Sequence, residues 1–123
     1  MLNWTEHQPG NHHIINAVHD DHVVISDRRI DASVIVGARL LEESWPVCSL
    51  SDLSLETIEP LLALTPELVV IGCGTRPGFP DAQIQSAFLS RGIGLESMTL
   101  NAAARTFNIL MSENRRALAA LIL

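Results

Sequence analysis

Gly72-Cys73-Gly74-Thr75-Arg76-Pro77-Gly78 holds the residue types in this chain best suited to chemistry. Glycines let main-chain N–H groups approach an anion closely, and Arg76 would add a charge beside them. A dinucleotide fingerprint with Glu96 as the ribose acid would need G-x-G-x-x-G opening directly into a helix. Here the third glycine falls one place late, Pro77 and Pro80 hold the helix start away, and too little chain follows for a second mononucleotide half. A phosphatase-type role for Cys73 would need an arginine where Phe79 stands. What survives is a ligand or anion pocket at the carboxyl edge of a parallel sheet, where two helix starts would bring free N–H groups together. Its candidate residues are Gly72, Gly74, Thr75 and Arg76 from the loop, with Thr99, Asn101, Arg105 and Asn108 from the start of a later helix. The competing account is structural. The glycines would merely permit a tight crossover, and Asn101, Arg105, Asn108 and Ser112 would form the solvated face of that helix, opposite Ala103, Phe107 and Leu110.

Elsewhere the reactive residue types are scattered. His12 and His13 would point to opposite faces of a strand, and His19 and His22 flank a turn, so no metal site is expected. Cys48 and Cys73 follow no C-x-x-C spacing and read as two reduced, buried thiols, with a redox role for Cys73 as a third functional reading. The eight basic residues are all arginine, which removes a Walker lysine and any Schiff-base lysine. No nucleophile and base stand at an informative spacing, and no cofactor is expected.

The elements that would position these residues change character half-way along. His12 to Val18, His22 to Ser26 and Arg29 to Val36 read as an antiparallel meander turning at His19–His22 and Asp27-Arg28. Leu40 to Leu50 is irregular, with Trp45-Pro46 as a packing anchor. Leu53, Leu55, Ile58, Leu61, Leu62 and Leu64 have helical spacing, interrupted by Pro60, which predicts two short turns or a late start. Glu67 to Ile71 reads as a strand buried on both faces. Asp81 then caps a helix reaching Ser90 with Gly92 as its stop, and a strand follows over Ile93 to Met98. Thr99 or Asn101 caps a helix through Phe107, Leu110 and Met111. Arg116 to Leu123 reads as either more helix or a final strand. Alternating strands and helices in this half imply right-handed crossovers.

A chain of 123 residues with 47% hydrophobic content suits one domain, residues 1–123, with a core that needs no disulfide or metal. The formal net charge of −6 argues against a nucleic-acid surface. No apolar run is long enough for a membrane span, and the polar MLNWTEHQPGNHH stretch lacks a signal core, so a cytoplasmic protein is expected.

Taken together, LVVIGCG at 68–74, Pro80, GIGLESM at 92–98, NAAARTFNIL at 101–110 and ENRRALAAL at 113–121 resemble one family. It is the small domain family of uncertain biochemistry that includes the mitochondrial respiratory complex I (NADH:ubiquinone oxidoreductase) assembly factor 3 and an adipogenesis-associated protein. Phe107 stands where tyrosine is common in that family, and Ala117 where valine is common. The resemblance implies an α/β fold in three layers, with a mixed central sheet, parallel in its second half, backed by the N-terminal antiparallel meander. It also implies that Ala117 to Ile122 is a strand. It brings no catalytic residue, cofactor or substrate. The function expected is a non-enzymatic protein-interaction or assembly-factor-type domain with a protein partner or a second copy. The alternative is a small-molecule or anion-binding protein using the 72–78 loop.

Overall fold

The computed structural model describes residues 12–76 and 78–123; residues 1–11 of the polar N-terminal stretch, and Pro77 of the loop, lie outside the described residues. Two sheets organise them. Strands β1 (Ile15–Val18), β2 (Val23–Ile25) and β3 (Arg28–Ile30) form an antiparallel meander. Its second turn places Ser26 at φ 49° and Asp27 at φ 67°, the left-handed pair that matches the twist of a tight hairpin. The larger sheet contains β4 (Val34–Val36), β5 (Leu41–Glu42), β6 (Leu68–Cys73), β7 (Gly94–Met98) and β8 (Ala117–Ile122). Its spatial order is β5-β4-β8-β6-β7, with β8, β6 and β7 parallel and β4 antiparallel to its neighbours.

Period-two alternation divides the core across this sheet. Val34, Val36, Val70, Ala119 and Leu121 face α3 (Leu100–Ser112) and the meander, whereas Ile35, Val69, Ile71, Leu118 and Ile122 face α1 (Leu55–Ala63) and α2 (Ala82–Leu89). The result is the three-layer mixed α/β fold. Every residue of β8 is buried, which settles the 117–122 segment as the strand at the heart of the sheet.

Three expectations need correction. The single strand expected over Arg29 to Val36 is two strands in different sheets, because residues 31–33 carry the chain from one sheet to the other. Pro60 does not break α1: a capping box between Ser54 and Thr57 starts the helix, and Pro60 sits inside it at an exposed position. The carbonyl that loses its donor belongs to Glu56, also exposed, where water can replace the bond. Finally, Cys48 is exposed rather than buried and Cys73 only half-buried; both are free thiols. Trp45, by contrast, is buried as an anchor and donates its indole N–H to the Thr57 carbonyl at 2.9 Å.

Candidate functional site

The carboxyl ends of β6 and β7 bring the 72–78 loop and the start of α3 together. One main-chain bond joins the two, and most of the first N–H groups of α3 are taken up at its own start. Leu100 N–H donates to Gly74 O at 3.0 Å, Ala102 N–H to Thr99 Oγ1 at 3.2 Å and Ala103 N–H to Thr99 O at 2.9 Å. Thr99 is thus the N-cap, and among the first N–H groups of α3 only that of Asn101 has no acceptor among the described residues. At the start of α2, Asp81 Oδ1 accepts from Ile84 N–H at 3.0 Å, so a carboxylate already occupies that end. Gly72 is a packing position: a Cβ there would stand 2.5 Å from Ala103 Cβ, so α3 can lie against β6 only over a glycine. Gly74 takes φ +63° to turn the chain. Thr75, Arg76, Asn101 and Arg105 are exposed.

Asn108 stands apart from these residues. Its carboxamide donates to Ile15 O and accepts from Ile15 N–H, each at 2.9 Å. It therefore pairs with β1 as a neighbouring strand would, and is not part of a solvated stripe. Nothing local signals this, because the two residues are 93 positions apart.

Asn108 is one of several devices that blunt the sheet edges. It covers β1; β3 carries the exposed, charged Arg28 and Arg29; β5 is only two residues long. The edge strand β7 has five residues and, among the described residues, no such cover. Because Gly94 N–H donates to Glu67 O at 2.9 Å, on the β6 side, alternation directs the main-chain groups of Leu95 and Ser97 outward. Beside this edge lies a groove of 670 Å³, lined by Phe79, Pro80, Gln85, Leu89, Leu95 and Ser97 among others. Phe79 is 76% exposed and Leu89 78% exposed, the two most exposed large apolar side chains among the described residues. The Ser97 hydroxyl donates to Gly78 O and fixes the Phe79 end of the groove. None of this was among the sequence-predicted site residues. In the sequence Phe79 figures only as the residue standing where a phosphatase-type role would need an arginine, and Leu89 lies unremarked within the helix expected from Asp81 to Ser90.

At the opposite end of the sheet a cavity of 440 Å³ is lined by Leu40, Leu64 and Met111, with Arg39, Arg115 and Arg116 at its rim. Two of these arginines are committed. Arg115 Nε lies 3.4 Å from Glu67 Oε1, and Arg116 donates to Thr65 O at 3.1 Å. Glu67 Oε1 also accepts from Arg116 N–H at 2.9 Å. That main-chain bond, with the Arg115 and Arg116 charges, holds the Glu67 carboxyl below its ordinary value. The described residues contain no cluster of three or more metal-ligating side chains, and no helix among them is long and apolar enough to cross a membrane.

Residues 15–122 match a family described as a protein of unknown function, DUF498/DUF598. The chain belongs to that family. Two relatives carry the name NADH dehydrogenase [ubiquinone] 1 alpha subcomplex assembly factor 3. The Danio rerio protein is 40% identical over 80 residues, 63% of this chain and 46% of its own. The Xenopus tropicalis protein is 30% identical over 102 residues, 81% of this chain and 55% of its own. The chain therefore spans about half the length of these curated relatives. A Xanthomonas campestris protein solved by NMR is 38% identical and superposes with a TM-score of 0.83, covering 94% of this chain and 89% of that one. The resemblance to the assembly-factor family seen in the sequence, and the fold it implied, are both shown.

Proposed function

We propose that this family member acts by binding other proteins, as an assembly-factor-type domain, and not by catalysing a reaction. The observation that carries this is the β7 edge, uncovered among the described residues, beside an apolar groove with Phe79 and Leu89 exposed at its sides. Exposed apolar surface next to free main-chain groups suits a protein ligand. The names of the relatives support the same reading. By analogy with them, the target would be a subunit or precursor of a respiratory NADH dehydrogenase. A photo-crosslinking residue at Phe79 in living cells should give a discrete adduct containing such a subunit, and the same group at Arg28 on the meander should not. Equal adduct patterns from both positions would refute the interaction reading.

An anion at the 72–78 loop is the second reading. It is supported by Arg76 and Arg105, which have no carboxylate within ion-pair reach among the described residues, and by the unmatched Asn101 N–H. Sulfate should then raise the melting temperature through binding to the folded state, less so after Arg76→Ala or Arg105→Ala and undiminished after Arg28→Ala. Equal gains in all three variants would be general salting-out.

A further inference from the structure

We propose that β7 is completed by an extended segment of a partner protein that adds to the sheet as a sixth strand, with apolar side chains toward α2 and a basic residue opposite Glu96. This rests on the interaction reading above and specifies its chemistry. The outward N–H and C=O groups of Leu95 and Ser97 require an occupant that can donate and accept at two-residue intervals, which an extended main chain does. The cross-strand register assigns the faces. Leu95 pairs with Val69 and Ser97 with Ile71, on the α2 side; Glu96 pairs with Val70, on the α3 side. An added strand would therefore set alternate side chains into the groove under Leu89 and Phe79, where apolar residues are favoured. Its intervening side chain would lie beside Glu96, which is exposed and has no ion-pair partner among the described residues.

The same carboxylate disfavours a second copy of this chain in the central register. A two-fold axis through β7 that pairs Leu95 with Ser97 of the other copy would set Glu96 directly against Glu96, and like charges directly opposite are destabilising. The formal net charge of −6 adds to that repulsion.

The test uses two synthetic probes, an alternating valine–lysine heptapeptide and an alternating valine–glutamate heptapeptide, with fluorescence anisotropy and amide hydrogen exchange on the whole chain. The lysine peptide should bind more tightly and should slow exchange at the Leu95 and Ser97 amides. Glu96→Lys should reverse the preference, by about two- to fivefold in each direction for one cross-strand pair. Asp20→Lys, an equal change of net charge in the β1–β2 turn, should leave the preference in place. Leu95→Pro removes an outward donor that the sheet does not use, so it should keep the fold, checked by circular dichroism, and abolish binding. Leu95→Ala keeps the donor and should retain the amide protection.

Binding without protection of those amides would overturn the proposal, as would an equal response to Glu96→Lys and Asp20→Lys. Concentration-dependent protection without peptide would replace it with self-association. If the Phe79 adduct persists in Leu95→Pro, the interaction reading stands and strand addition is wrong; loss of that adduct together with peptide binding supports both.

Discussion

Asn108 shows how a single amide can have a structural role that its sequence neighbourhood conceals. Helical spacing places it with Asn101, Arg105 and Ser112, yet its two bonds to Ile15 tie α3 to the meander. Asn108→Ala should cost about 1–3 kcal/mol, the penalty for leaving the partly buried Ile15 groups unmatched. Phe107→Ala, at a fully buried ring, should cost about 3–5 kcal/mol. Arg105→Ala, at an exposed position, should stay within about 0.5 kcal/mol. Urea denaturation of the three variants checks the ranking; a large loss at Arg105 would contradict its solvated position. Glu67 gives a pH signature. Its folded value is depressed, first by the Arg116 N–H bond and then by the arginine charges. Its contribution is therefore fully present above the ordinary carboxylate value and lost as pH falls through the lowered one. Glu67→Gln should be less stable than the parent at neutral pH, with the gap closing on acidification. A gap independent of pH would show that the charge on Glu67 is immaterial.

At the scale of elements, α3 against β6 is the closest approach made over any described glycine. The Gly72 position has Ala103 Cβ 2.5 Å and Leu121 Cδ2 3.3 Å from where a methyl would stand. Gly72→Ala should cost about 1–3 kcal/mol by overpacking. Ala103→Gly alone should cost about 1 kcal/mol in helix propensity, plus the loss of a buried methyl. Because the clash is between these two residues, the double variant should lose less than the sum of the singles in a thermal double-mutant cycle. Strict additivity would mean that α3 shifts to admit the methyl. This also explains why the glycine-rich stretch looked like a ligand loop. A glycine required by a helix crossing and one required by a phosphate leave the same mark in a sequence, and only Gly74 and the Thr99 cap show how the turn is closed.

Across the whole molecule, legibility followed the range of the interactions involved. The apolar runs of β6 and β8, the Asp81 cap and the Gly92 stop are local properties, and each element lies within a residue or two of its expected place. The split at residues 31–33 had only a short local mark, the poor strand formers Asp31-Ala32-Ser33 between two apolar stretches; which sheet each half joins depends on β2 and on β8, far along the chain. The β7 groove was hidden for a related reason. Exposure of Phe79 and Leu89 comes from the sheet ending at β7, and strand order is not written in any one segment.

The position of β8 between β4 and β6 has a consequence for how the chain reaches this state. Val34 pairs with Leu121 and Leu68 with Ala117, so the central ladders join residues brought together only when nearly all of the domain has been synthesised. Until β8 arrives, β4 and β6 have a gap between them, and each exposes a strand edge that in the finished fold lies inside the sheet. Closure over so long a stretch of chain makes folding slow relative to a helical bundle of the same size. The nascent domain therefore passes through a stage in which its most apolar strands are open to any other extended chain, and that interval is when protection from aggregation matters most.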